Sequence, residues 1–189
     1  MKLKTLKDLY RDELRDVYDA ENQIVKALPK MIKAVSSPEL EKALQERLDK
    51  TKGHRKRLDH VFKSMGETPK RKTCEGLKGL LEEGKELMEE DTEPAVMDAG
   101  LIAGAQRVAH YEMAAYGSLR TWAEQLGEED AVPLLEQTRG EEKEADQILS
   151  EIAMTVNPEA AEGAAEGESG EPETKTTRPT RGSHRANRN

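Results

Sequence analysis

Three glutamates occupy positions where core residues belong. Glu21 falls within the series Leu14, Val17, Ile24, Leu28. Glu112 falls within Ile102, Ala105, Ala109, Tyr116, Leu119, and Glu142 within Leu135, Thr138, Ala145, Leu149, Ile152. Steps of three and four residues mark one face of a helix, so each carboxylate points where an apolar side chain should. A carboxylate stripped of water costs several kcal/mol unless it is paired, protonated or bound to metal. Asp146 lies one turn after Glu142 and can share its face. His54 follows Thr51 by three residues, and Thr51 sits in the stripe Leu40, Leu44, Leu48, Leu58, Phe62. Oxygen donors with one imidazole suit iron or manganese. Glu21, His54, Glu112, Glu142 and Asp146 therefore form the predicted metal site, sufficient for one ion and thin for two. The competing reading pairs Glu21 with a basic residue of a neighbouring helix and leaves His54, in the run HRKR, on a solvated flank.

The elements that position these residues are helices. Thr5 and Asp8 form a capping pattern that starts a first helix reaching Ser36, with a kink expected at Pro29. Ser37-Pro38 starts a second helix that ends before Gly66. A loop over 67–73 leads to a short helix from Cys74 to Glu90. Asp91-Thr92-Glu93-Pro94 starts a fourth helix, stopped at Gly127, and a fifth runs from about Asp130 to Thr155. Counted from these starts, Glu21, His54, Glu112 and Glu142 all lie about midway along their helices, so an antiparallel bundle brings them to one level. The fold class is all-α: a four-helix bundle whose long connection, with its short extra helix, joins the second and third long helices. That crossover is the ferritin-like topology. Apolar residues of the short helix (Leu77, Leu80, Leu81, Leu87, Met88) need cover, which suggests a two-fold dimer.

Composition narrows the alternatives. The chain has 189 residues, of which 36% are charged and only 3% aromatic, which favours helices of Ala, Leu, Glu, Lys and Arg over a β-sandwich. A formal net charge of -8 disfavours a mainly electrostatic nucleic-acid partner. No apolar run is long enough to span a membrane, and the charged N-terminus lacks the apolar core of a signal peptide. One cysteine, Cys74, excludes an internal disulfide and fits a reducing compartment, pointing to the cytoplasm. At a helix start, Cys74 reads as a half-buried structural thiol rather than a nucleophile. From Val156 the chain has no Leu, Ile, Phe, Trp or Tyr, so residues 158–189 read as a disordered polar tail beside a bundle over 1–157. Tyr18 and Tyr116, one turn from Glu21 and Glu112, read as core-edge residues that could also hydrogen-bond a ligand.

Residues 1–157 resemble the YciF/YciE family of ferritin-like proteins (DUF892). The matching stretches are TLKDLYRDELRDVYDAENQIVKALPKM, LDKTKGHRKRLDHVF, CEGLKGLLEEG, DAGLIAGAQRVAHYEMAAYGSL and TRGEEKEADQILSEIA. The resemblance implies a soluble, cytoplasmic, dimeric ferritin-like bundle linked to stress responses and often described as a ferroxidase. Ferritin-like di-iron sites take one glutamate from each of two helices and a Glu-x-x-His pair from each of the other two. This chain has no Glu-x-x-His: Thr51 precedes His54, Ala145 follows Glu142, and Ala109 stands where the family carries a glutamate. Two functions are thus expected in competition. One is an iron- or manganese-binding protein of ferroxidase type; the other is a non-catalytic interaction bundle with a degenerate metal site.

Overall fold

The computed structural model describes residues 3–70 and 72–167. The first three helices begin where a side chain supplies a cap, whereas the fourth starts at a proline with no side-chain cap. Thr5 Oγ1 accepts from the Asp8 amide at 3.1 Å while the Asp8 carboxylate accepts from the Thr5 amide at 3.0 Å, and α1 runs Leu6–Ala34. It passes Pro29 without a break and ends two residues before the expected Ser36. Ser37 Oγ accepts from the Leu40 amide at 3.3 Å to start α2, Pro38–Ser64. The Cys74 sulfur accepts from the Leu77 amide at 3.4 Å at the head of α3, Glu75–Glu89. Pro94 opens α4, Pro94–Leu126, and Gly127 closes it at φ 72°, a left-handed conformation that costs glycine little.

The last helix, α5, spans Ala131–Gly167 and so outruns the expected end near Thr155. The segment EAAEGAAEG after Pro158 is rich in Ala and Glu, strong helix formers. Pro158 removes the amide that would bond Met154, which is exposed and can turn its carbonyl to water. The expected boundary at 157 therefore falls inside α5. The remainder of the predicted tail, 168–189, lies outside the described residues.

Every described element is a helix. Four long helices form a ring in the order α1, α2, α5, α4, and α3 lies over α1 and α4. Neighbours run antiparallel: Lys50 pairs with Glu144 and Arg57 with Thr138, so numbers rise on α2 as they fall on α5. The connection from α2 returns along α1. Lys72 Nζ meets Asp12 at 2.8 Å, the Cys74 amide meets Asp19 at 3.1 Å, and Leu87 packs so closely on Gly100 that a Cβ there would collide with it. This is the crossover expected between the second and third long helices. The apolar face of α3 is covered within the chain: Leu77 is buried, and Leu80, Leu81, Leu87 and Met88 pack on the α1–α4 core.

The core divides in two. One apolar cluster contains Tyr10, Leu14, Val17, Leu58, Phe62 and Leu119; the other contains Ile24, Leu28, Leu40, Leu44, Leu101 and Ile102. Between them lies a layer of buried polar side chains. At the far end, buried Asp98 of α4 grips the α1–α2 turn, accepting from the Ser36 amide at 2.9 Å, Ser36 Oγ at 2.7 Å and the Ser37 amide at 2.8 Å. Removing that carboxylate leaves buried donors unmatched. Asp98→Ala is expected to lower stability by about 3 kcal/mol, with Asp98→Asn losing less, as read by denaturant or thermal unfolding.

Candidate metal centre

The polar layer gathers one or more side chains from each long helix. Glu21 comes from α1, Arg47, Thr51 and His54 from α2, Glu112 and Tyr116 from α4, and Glu142 from α5. All are at most 4% exposed. The helical stripes dictate this: Glu21 is three residues from Ile24 and four from Val17, both buried, so it cannot turn to water without unseating α1.

Three of the five predicted ligands converge. Glu21, His54 and Glu112 each place a ligand atom within 4.8 Å of the others. Glu142 adjoins them, with Oε1 3.6 Å from His54 Nδ1, while its Oε2 accepts from Arg47 at 2.6 Å. Asp146 does not join. Its carboxylate accepts from Gln106 Nε2 at 3.1 Å and lies 3.3 Å from His110 Nε2 on the outer seam of α4 and α5. One turn along α5 carries it past the polar layer, and the α4 side chains there claim it. Tyr116, expected at the core edge, is fully buried and donates a short hydrogen bond to Glu21 Oε1. Tyr18 instead donates to Asp59 at 2.9 Å and packs edge-on against Phe62.

Two residues not anticipated complete the centre. Arg47 Nη2 donates to Glu112 Oε2 at 2.7 Å and to Glu142 Oε2 at 2.6 Å. The sequence carried a signal for it, because Arg47 lies three residues after Leu44 and four before Thr51, inside the buried stripe. Glu141, half-buried beside Glu142, sits 2.9 Å from His54 Nε2 and also accepts from Arg57 at 2.6 Å. In the sequence, one of two adjacent acids reads as part of a solvated face; the approach of α2 to α5 adds His54 and Arg57 to its partner Gln137 within α5.

Electrostatics follow from this arrangement. Burial pushes the Glu112 carboxyl well above the usual carboxylate range, and the charges of Glu142 and Glu21 add to it against Arg47. Burial works against charge on the His54 ring. The Glu141 and Glu21 carboxylates outweigh it, with help from Glu142, and push His54 up to about 9. Glu141 is itself half-shielded, yet hydrogen bonds from His54, Arg57 and Gln137 hold it down at about 2. The Tyr116 hydroxyl is pushed up by burial and by Glu21, so it stays a donor.

Each converging residue carries unmet bonding capacity, as does Arg47 Nη1 beside them. Glu21 Oε2, His54 Nδ1 and Glu112 Oε1 are buried and make no hydrogen bond, although such atoms in a protein interior are ordinarily satisfied. His54 Nε2 is engaged by Glu141, which fixes the ring and leaves Nδ1 facing the carboxylates. A carboxylate behind a histidine is the usual way to orient a metal-binding imidazole. Three donors of two chemistries on three rigid helices fit one transition-metal ion. They do not fit the full set of a di-iron site, because Thr51 donates its hydroxyl to the Arg47 carbonyl at 2.8 Å and Ala109 and Ala145 offer nothing. Cys74 forms no nucleophilic site. It is buried, its sulfur is 2.9 Å from the Tyr111 hydroxyl, and burial with nearby Asp16 pushes the thiol up. No described helix is long and apolar enough to cross a membrane.

Comparison with known proteins agrees with this architecture. The family model DUF892, a domain of unknown function, matches residues 5–162. Protein YciF of Escherichia coli K12 is 41% identical over 166 residues, covering 87% of this chain and all of that protein. The crystal structure of the E. coli stress protein YciF superposes with a TM-score of 0.80, covering 82% of this chain and 99% of that one. YcfI of Rhodopseudomonas palustris is 42% identical with a TM-score of 0.77, covering 79% of this chain and 95% of that one. A Xanthomonas campestris protein shares the fold at 16% identity and a TM-score of 0.69, covering 85% of this chain and 99% of that one. A helical bundle with this crossover, matched along nearly all of its described length, makes the chain a member of the DUF892 family to which YciF belongs.

Proposed function

We propose that the protein binds one iron or manganese ion through Glu21, His54 and Glu112, acting in the cytoplasm in the stress response for which its E. coli relative is named. The observation that carries this reading is the coincidence of two properties in the same three residues. They are the group whose ligand atoms lie within 4.8 Å, and each has a buried donor or acceptor atom without a hydrogen bond. A bound ion would add a Lewis-acidic, redox-capable charge to a site closed to bulk water. The chain's own residues supply the rest. Glu141 holds the His54 ring by Nε2, Tyr116 steadies Glu21 by its hydroxyl, and the two apolar clusters exclude solvent above and below. The donor set supports a single ion rather than the paired irons of a ferroxidase. A homodimer belongs to the proposal on the family resemblance.

A second reading has its own support. Arg47 and a protonated His54 already bring two positive charges to the three carboxylates, so an interaction bundle could keep this layer as a structural network with no ion.

Metal titration separates the two. Mn(II), or Fe(II) without oxygen, at a hundred times its Kd should raise stability by about 2.7 kcal/mol through linkage, seen as a higher Tm. Glu112→Ala should abolish that rise, and without metal should lower stability, because buried Arg47 loses one of its two carboxylate partners. An unchanged melting curve for the wild type, or an equal response in Glu112→Ala, replaces the metal reading with the structural one.

The site also sets the sign of the pH dependence. His54 titrates at about 9 in the folded chain against an ordinary value of 6.5, so between these values the folded state binds more protons than the unfolded. The contribution of His54 to the stability of the metal-free protein is therefore complete below about pH 6.5 and is lost as pH rises toward 9. Glu112, also raised, acts in the same direction. Metal and proton compete for His54, so the metal-induced rise in Tm should grow over the same range. Thermal melts at pH 6, 7.5 and 9, with and without Mn(II), check both trends, and His54→Gln should flatten each.

A further inference from the structure

We infer that Arg47 occupies the place of a second cation and thereby limits the centre to one metal ion. The inference rests on the one-ion reading above for the first ion, but its own support is separate. Arg47 Nη2 touches one oxygen from each of two carboxylates on different helices, Glu112 Oε2 at 2.7 Å and Glu142 Oε2 at 2.6 Å. A cation bridging α4 and α5 would need those same two oxygens. The guanidinium reaches them from α2 at 4% exposure, deep inside the bundle, where a positive charge is stable only because the two carboxylates surround it.

Glu112 is divided between the two positions. Its Oε2 is taken by Arg47, and its Oε1 is the atom without a hydrogen bond. It thus serves the tethered cation with one oxygen and keeps the other for the ion beside Glu21 and His54. Glu142 is divided in the same way, with Oε2 on Arg47 and Oε1 3.6 Å from His54 Nδ1. A charge fixed to the backbone cannot dissociate, so the α4–α5 carboxylate pair remains compensated whether or not metal is present. The same charge repels any ion seeking that place.

The test counts ions. Full-length wild type, Arg47→Met and Arg47→Lys are loaded with Mn(II), freed of excess, and analysed for manganese per chain and by electron paramagnetic resonance. Methionine keeps the length and burial of the side chain but not the charge; lysine keeps the charge. Wild type and Arg47→Lys should hold one ion and show an isolated Mn(II) signal. Arg47→Met should hold two and show an exchange-coupled signal, because Glu112 and Glu142 are then free to share the second. Without metal, Arg47→Met should melt below wild type and recover on adding Mn(II). If that variant does not fold even with Mn(II), Arg47→Gln, which keeps a donor to the carboxylates without the charge, gives the same reading. One ion in both wild type and the uncharged variants overturns the inference, as does a wild type that already binds two. No ion in wild type with one in Arg47→Met overturns the one-ion reading of the native centre but upholds Arg47 as the cation that holds the place.

Discussion

The structure depends on how three carboxylates survive in the middle of a helical bundle. Glu21, Glu112 and Glu142 are at most 1% exposed, and each would cost several kcal/mol if left charged and unpaired. Compensation comes from within the layer. Arg47 binds two of the acids, His54 lies against Glu21 and Glu142, Tyr116 donates to Glu21, and burial favours the protonated form of Glu112. No single helix could provide this. The layer exists only when α1, α2, α4 and α5 present their midpoints at one height, so its energetics select one register among the many that apolar packing alone would tolerate.

That register is held from outside the layer. Asp98 ties the head of α4 to the α1–α2 turn, and the connection from α2 returns along α1 through Lys72, Cys74 and α3. The crossover delivers α4 antiparallel to α1, with Glu112 and Glu21 facing each other near the midpoints of the two helices. On the opposite seam, Arg57 and Glu141 join α2 to α5, and Glu141 also orients the ring of His54. The residues that lock the bundle thus also aim the imidazole.

Membership of the DUF892 family and the match to E. coli YciF agree with the helical bundle seen here, whose long crossover between α2 and α4 is the ferritin-like topology. The donor atoms depart from the di-iron pattern in a consistent direction. Thr51 uses its hydroxyl on the helix backbone, Ala109 and Ala145 carry no donor, and the Arg47 guanidinium bonds Glu112 and Glu142. The centre brings Glu21, His54 and Glu112 together beside the buried charge of Arg47.

The sequence by itself determined the helices, the caps of α1 and α2, the crossover topology and the three misplaced glutamates. These rest on local rules: a Thr5 or Ser37 hydroxyl bonds an amide three residues on, and a stripe repeats every three or four residues whatever lies opposite it. His54 was legible by the same rule, and so was Arg47 in retrospect, since a charge at a buried step of a stripe is anomalous in any fold. The end of α5 was not, because Pro158 and the loss of large apolar residues after Val156 suggested a stop, while the Ala- and Glu-rich stretch carries the helix to Gly167. Only the tertiary structure decided which charge meets which. Asp146 and Glu141 flank Glu142 on the same helix and look equivalent in sequence, yet Asp146 faces Gln106 and His110 across α4 while Glu141 reaches His54 across α2. Partner choice across helices depends on the rotation of each helix against its neighbours, a long-range quantity that one-dimensional periodicity does not contain.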